Sequence, residues 1–279
     1  MMNLSEFTPN APLVLVGCGN MGGALARGWL ASGLSADALV IVDRLFEVEN
    51  LPEARGARVV DSLDALETGL LAKAVLLAVK PQIINDVMPS LSPFINNNTL
   101  IISVAAGVTL DQMARGVGAD KQCARVMPNT PAAVAAGASG IACSENVSLA
   151  NMALTKALME AVGLAVVLEN EQQIDAVTAT SGSGPAYVFY MVEALAAAGE
   201  KLGLSQEGAE ALARQTIIGA AKLLEADTGT SAATLRERVT SPKGTTEAAL
   251  KVLMGEGGMT TLLERATEAA AKRSKELAG

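Results

Sequence analysis

Residues 13–33 read LVLVGCGNMGGALARGWLASG, and their order decides how the chain begins to fold. Leu13-Val14-Leu15-Val16 is short, uncharged and apolar at every position, the pattern of a strand buried on both faces. It runs directly into Gly17-Cys18-Gly19-Asn20-Met21-Gly22, a complete G-x-G-x-x-G. Behind the glycines, Ala24-Leu25 and Trp29-Leu30 fall on one side of a helix with Arg27 opposite, and Gly33 offers a C-terminal cap. A second apolar run, Leu39-Val40-Ile41-Val42, ends on Asp43, about 20 residues past the last glycine. Strand, glycine turn, helix and following acid are the parts of a dinucleotide site. Glycine lets the backbone approach a pyrophosphate, whose charge meets the unpaired N–H groups of a helix N-terminus. Gly17, Gly19, Asn20, Met21, Gly22 and Asp43 are therefore the first candidate cofactor contacts. Asp43 suits a ribose 2′-hydroxyl and NADH, while Arg44 beside it suits the 2′-phosphate of NADPH. These two residues alone leave both cofactors open.

Outward from that unit the strand–helix rhythm continues. Residues 58–60 are a weak strand, 62–71 a short helix or loop, and 74–79 a clear buried strand ending at Lys80-Pro81. The pattern then predicts a helix over 82–91, a strand over 99–104 ending at Ala105-Ala106-Gly107, and a helical turn near Thr109. A strand through 124–126 ends at Met127-Pro128-Asn129-Thr130, and 162–168 is a last strand-like run. Such alternation predicts an α/β domain of Rossmann type, with a doubly wound, mostly parallel sheet. Ligands of these sheets lie outside the carboxyl ends of the strands, so Ala78, Val79, Lys80, Pro81, Ala105 and Asn129 join the candidate cofactor rim. After Glu169 only helical patterns remain. Ser181-Gly182-Ser183-Gly184-Pro185 leads into a helix over 185–202 that carries one charge, Glu193, before Glu200. Further helices are expected over 205–225, 230–239, 245–254 and 259–277. The expected organisation is a flexible lead-in at 1–12, the Rossmann domain at 13–170 and an all-helical domain at 171–279. A helix as apolar as 185–198 needs cover beyond a small bundle, which predicts a homodimer.

Composition narrows the function classes. Hydrophobic residues make up 50% of the 279 and aromatics 3%, so the core is aliphatic and alanine-rich. A net charge of −8 argues against a nucleic-acid partner or an anionic membrane surface. Residues 1–12 have neither the apolar nor the basic pattern of a targeting segment, and no apolar run reaches the ~18 residues of a membrane span. Cys18, Cys123 and Cys143 form no metal-ligand spacing and no obvious pair, which fits no metal and a reducing, cytoplasmic setting. There is no histidine, so a hydride-transfer reaction here takes its proton from elsewhere, with Lys80, Tyr187 and Tyr190 as the available acids.

A second informative stretch, residues 239–250, reads VTSPKGTTEAAL. It is a turn feeding a helix, and the amides of Gly244, Thr245 and Thr246, the nearby hydroxyls and Lys243 suit a small carboxylate. A plain Ser/Thr-rich helix start is the simpler reading of those residues alone. Taken in order, GCGNMGGA, AVKPQ, RVMPNTPA, SGSGPAYVF and VTSPKGTTEAAL closely resemble pyrroline-5-carboxylate reductase, a family that catalyses the last step of proline synthesis. The resemblance runs from about residue 12 to the C-terminus. It implies a Rossmann domain followed by an all-helical dimerisation domain interlocked with a second subunit. It also implies NADPH as cofactor with NADH accepted, a homodimer or a multiple of one, and 1-pyrroline-5-carboxylate as the small-molecule substrate. By the same resemblance Ser241, Gly244, Thr245 and Thr246 hold the substrate carboxylate, and Thr246 is the catalytic contact to the ring nitrogen. Lys243 departs from the family, which usually has glycine there. A cyclic imine takes its proton from water before reduction, so the missing histidine is permissive. Two other classes stay open: a β-hydroxyacid-type reductase, disfavoured because no lysine precedes Lys201 on the helix after the boundary, and a non-catalytic dinucleotide sensor.

Overall fold

The computed structural model describes residues 4–278. Eight strands, β1 Leu13–Val16, β2 Leu39–Val42, β3 Arg58–Val60, β4 Ala74–Leu77, β5 Leu100–Ser103, β6 Gln122–Met127, β7 Gly137–Cys143 and β8 Gly163–Val167, form one sheet. Its order is β3-β2-β1-β4-β5-β6-β7-β8, and every neighbouring pair is parallel except β6 with β7. The register brings the strand ends level: Val16 pairs with Val42 and Leu77, and Leu77 with Ser103. The residues that follow these ends, beginning at Gly17, Asp43, Ala78 and Val104, thus share one edge of the sheet, where a doubly wound fold binds its ligand.

Alternate residues of each strand feed opposite cores, which is why β1, β2, β4 and β5 are buried throughout. Leu13, Leu15, Leu39, Ile41 and Leu76 pack with Leu25 and Trp29 of α1 (Asn20–Ala31) and with Leu154 and Leu158 of α4 (Leu149–Glu160). Val14, Val16, Val40, Val42, Val75 and Leu77 pack with Ile84 of α2 (Ile84–Val87) and Met113 of α3 (Leu110–Val117) on the other face. The buried Trp29 indole keeps its hydrogen bond, donating to the Leu158 carbonyl at 2.8 Å.

Three expectations change. The predicted helix over 82–91 is α helix only at α2, between 3-10 turns at Pro81–Ile83 and Met88–Phe94. Pro89 and Pro93 supply no N–H and break the α pattern. Residues 4–11, expected to be a flexible lead-in, are tied down: Leu4 and Phe7 are buried in the α1 core, and Lys73 pairs with Glu6 at 2.6 Å. Residues 1–3 lie outside the described residues. Finally, β7 and α4 occupy a stretch that sequence periodicity left blank. Beyond β8 come α5 (Gln173–Val177) and a π-helical turn, Thr178–Gly182.

By compactness the described chain divides into 4–182 with 270–278, and Ser183–Ala269. The second unit is helical throughout: α6 Gly184–Lys201, α7 Gln206–Ala226, α8 Ala232–Arg238, α9 Thr245–Leu253 and most of α10, Met259–Ala278. Its buried apolar side chains are three alanines, Ala196, Ala209 and Ala213. Phe189, Tyr190, Leu202, Leu223 and Val252 stand exposed. Gly199 packs against Leu204 and Ala209, so alanine and glycine bring α6 and α7 close. The last turns of α10 belong with the first unit, where Ser274 donates to Asp175 at 2.6 Å.

Candidate active site

The three glycines of the G-x-G-x-x-G after β1 each meet a different constraint. Gly17 has φ +92°, where a side chain is strained, and a Cβ would stand 2.9 Å from the Ala78 carbonyl. At Gly22 a Cβ would lie 2.1 Å from the Gly17 carbonyl oxygen, so only glycine lets α1 pack onto the turn. Gly19 has nothing within 4 Å of where its Cβ would be, leaving the backbone open to a ligand. It is also the N-cap of α1 and caps nothing with a side chain. The first intrahelical donor is Gly23, bonding Gly19 at 2.7 Å, so the amides of Asn20, Met21 and Gly22 precede the helix ladder. With no acid or base in that first turn, the helix N-terminus is a net donor surface for a pyrophosphate. These residues fit a dinucleotide.

Beside the turn lies a cavity of about 480 Å³ whose lining includes Gly17, Asp43, Arg44 and Val79. Asp61, Ser62, Leu63, Ile83, Val87 and Ser90 also line it, and the sequence reading had passed them over. For Asp61 and Ser62 the signal is the end of β3: Val60 pairs with Val42, so they fall next to Asp43. The Asp43 carboxylate accepts from the Cys18 amide at 2.6 Å through Oδ2 and from the Leu45 amide at 2.8 Å through Oδ1. Burial, and then the Asp43 charge, push the Cys18 thiol up to about 11, so at neutral pH it is a neutral, unreactive thiol.

The remaining rim residues divide. Ala78 continues β4, its amide donating to Val16 at 2.8 Å, and Lys80 with Pro81 opens the 3-10 turn. Ala105 is buried, with its amide 3.3 Å from Ser103 Oγ. Asn129 is almost buried too, and both ends of its amide bond protein: Nδ2 donates to the Ser181 carbonyl at 2.9 Å and Oδ1 accepts from Ala138 at 2.8 Å. It ties the end of β6 to β7 and to the π-helical turn. Another tie that sequence reading missed is the ion pair of Arg125 with Glu171 at 2.8 Å, whose carboxylate also takes the Leu110 amide at the start of α3.

The 241–246 loop lies in the second unit and shares with the first helix start a glycine N-cap, while Glu247 places an acid in its first turn. Gly244 is the N-cap of α9 without a side-chain cap, and its amide closes a turn onto the Ser241 carbonyl at 3.0 Å. Ala248 is the first intrahelical donor, so the amides of Thr245 and Thr246 precede the ladder. Lys243 adopts φ +58°, the left-handed conformation that glycine takes without strain. Its amide donates to Glu247 Oε2 at 2.5 Å, and Glu247 also binds Lys251 at 2.7 Å. Lys251, followed by the Lys243 amide, holds the Glu247 carboxyl below its ordinary pKa. Glu247 thus pins the loop from within its own helix.

Residues 171–277 match the family described as pyrroline-5-carboxylate reductase dimerisation, and residues 12–107 match NADP oxidoreductase, coenzyme F420-dependent. The chain is 41% identical to pyrroline-5-carboxylate reductase of Pseudomonas aeruginosa, over 95% of this chain and 96% of that protein. It is 36% identical to the Escherichia coli protein of the same name, over 93% and 96%. Among solved structures, a pyrroline-5-carboxylate reductase from Coxiella burnetii superposes with a TM-score of 0.86 at 36% identity, covering 97% of this chain and 99% of that one. A Plasmodium falciparum pyrroline carboxylate reductase with NADP bound gives 0.79 at 28% identity, over 98% and 100%. The chain belongs to the pyrroline-5-carboxylate reductase family.

Proposed function

We propose that this protein reduces 1-pyrroline-5-carboxylate to L-proline with NADPH, NADH serving as a second donor. The observation that carries the reading is the uncapped α1 N-terminus, with Gly17 and Gly22 required by sterics and the space beside Gly19 open to a ligand. Those amides grip the pyrophosphate; Asp43 and Arg44 border the adenosine end, and Ala78, Val79, Lys80, Pro81, Ala105 and Asn129 belong to strand ends of the nicotinamide side. Bound there, the reduced nicotinamide supplies hydride to the imine carbon. Ser241, Gly244 and the amides of Thr245 and Thr246 hold the substrate carboxylate, as an anion at a helix N-terminus. The Thr246 hydroxyl bonds the ring nitrogen, a contact that orients the imine and follows the change in charge at nitrogen. The imine enters already protonated from water, so no histidine is needed.

The functional boundary in this reading is 170/171, where the match to the dimerisation family begins. The exposed apolar residues of α6 to α10 support a homodimer, alone or in multiples. Among the described residues no helix is long and apolar enough to cross a membrane. The three cysteines are free, which supports a reducing cytoplasm, and the acidic surface supports the absence of a nucleic-acid partner. The test supplies 1-pyrroline-5-carboxylate and NADPH to the purified protein and follows nicotinamide absorbance together with proline. Proline formed one-for-one with NADPH consumed is the expected result. Dinucleotide binding without proline would sink the reading in favour of a sensor.

A further inference from the structure

In nucleotide folds of this type, the acid at the end of the second strand reads the adenosine ribose. Here each oxygen of that acid already accepts a backbone amide. Asp43 Oδ2 accepts from the Cys18 amide at 2.6 Å, in the middle of the glycine turn, and Oδ1 accepts from the Leu45 amide at 2.8 Å. One carboxylate therefore clamps two loops: the turn after β1 and the loop after β2, where the Leu45 bond closes a local Asx-type turn around Arg44. Both bonds are charge-assisted and short, the class roughly twice as strong as neutral pairs. The Cys18 bond falls between Gly17, which is held at φ +92°, and Gly19, the uncapped first residue of the helix start. A backbone with that freedom needs something to fix which way its amides face, and no side-chain cap does so.

We infer that Asp43 is a positioning residue, which orients the glycine turn for the pyrophosphate through the Cys18 amide and does not select the cofactor by its ribose 2′-hydroxyl. This rests on the proposed dinucleotide site and adds the role of one residue within it. Loss of the clamp then weakens NADH and 2′-deoxy-NADH by the same factor, since neither carries a charge at the 2′ position. A ribose reader behaves differently: its loss weakens only dinucleotides that carry the hydroxyl.

The experiment measures binding, not turnover, so it stands apart from the test of the reaction. NADH and 2′-deoxy-NADH are titrated by nicotinamide fluorescence into the wild type, Asp43→Asn and Asp43→Ser, with circular dichroism as the check on folding. Asparagine keeps one acceptor and places an N–H donor where the other carboxylate oxygen was. Serine keeps only a short-range acceptor for the Leu45 turn. Both variants are expected to weaken the two dinucleotides about tenfold, with the NADH to 2′-deoxy-NADH ratio within about twofold of wild type. A folded variant that binds both ligands as the wild type does would overturn the inference. So would a ratio shifted about fivefold or more, which identifies Asp43 as the ribose reader. If neither variant folds, the wild type decides alone: a loss of about fivefold or more on removing the 2′-hydroxyl counts against the inference, and equal affinities support it. Failure of the wild type to bind either ligand removes the dinucleotide site, and this inference with it.

Discussion

The two compact units dispose of their apolar residues in opposite ways. In the sheet unit, β1, β2, β4 and β5 are buried at every position, with helices of the same unit packed on both faces of these strands. In the helical unit the buried apolar side chains are three alanines, while Phe189 is 63% and Tyr190 70% exposed. Similar composition, arranged on a sheet or on a set of long helices, yields a closed core in one case and an uncovered surface in the other. The first unit has what it needs to fold; the second is written for company, which is the property the name of its matched family describes. Both nevertheless hold a helix that starts alike, from a glycine N-cap with no side-chain cap, at α1 and at α9.

The severest way to break the comparison acts on the closed unit. Gly22→Ala places a Cβ 2.1 Å from the Gly17 carbonyl oxygen, a contact relieved only by moving the turn. Dinucleotide affinity should fall at least about 100-fold, near 3 kcal/mol. Gly23→Ala, whose Cβ has nothing nearer than Cys18 O at 3.7 Å, should stay within about twofold. Fluorescence titration decides, and equal affinities for the two variants would detach the glycine turn from binding.

Next, Phe189→Asp puts a charge on the uncovered face. It should weaken self-association by about 2–3 kcal/mol in sedimentation while leaving dinucleotide affinity within about twofold. A variant still dimeric at low micromolar concentration would mean that α6 is covered by something else. Smaller again is Thr246→Ala, expected to lower kcat about tenfold, roughly 1.4 kcal/mol, with substrate KM little changed. Ser241→Ala should instead raise KM, because a carboxylate is held alike in ground and transition states. Steady-state kinetics with both variants separates the roles, and an unchanged kcat in Thr246→Ala ends the assignment to the ring nitrogen. The smallest effect is Lys243→Gly. Relief of φ +58° should stabilise the folded state by about 0.5 kcal/mol after the added entropy of unfolded glycine, a Tm rise of one or two degrees at most. A rise in substrate KM of about fivefold would give the ammonium a part in holding the carboxylate.

How far the sequence could be read tracks how local each cause is. β1 and β2 begin and end where the apolar runs do, β3 falls on the weak strand at 58–60, and Ser205, whose side chain accepts from Gly208 at 3.2 Å, starts its helix as expected. The glycine turn was legible because Gly17 and Gly22 answer neighbours a few residues or one strand away. β7 was not. Its sequence GASGIAC lacks an apolar run because it is shaped by distant partners. A Cβ at Gly137 would meet the Val162 carbonyl at 2.9 Å, and one at Gly140 would meet Val177 at 2.7 Å. α4 did carry a signal, an N-cap at Ser148 and the i, i+4 pair Leu154 and Leu158, that was overlooked. The positions of Asp43 and Asn129 just past strand ends could be predicted, whereas the direction of their hydrogen bonds could not. Those depend on amides and carbonyls brought near by the fold, as with Asn129 and the Ser181 carbonyl.

The lone tryptophan and the two tyrosines are also divided between the units. Trp29 is fully buried on α1, its indole N–H bonded to a carbonyl, whereas Tyr187 and Tyr190 both lie on α6. The protein therefore has a separate optical reporter in each half. Emission excited at the red edge, where tyrosine is dark, follows the sheet unit alone, and its red shift marks water reaching Trp29. Tyrosine emission, set apart from that of tryptophan by its shorter wavelength, follows the helical unit and whatever comes to cover it. Denaturant or dilution series read at both wavelengths will then show whether the halves come apart together or in turn, with no label added to the chain.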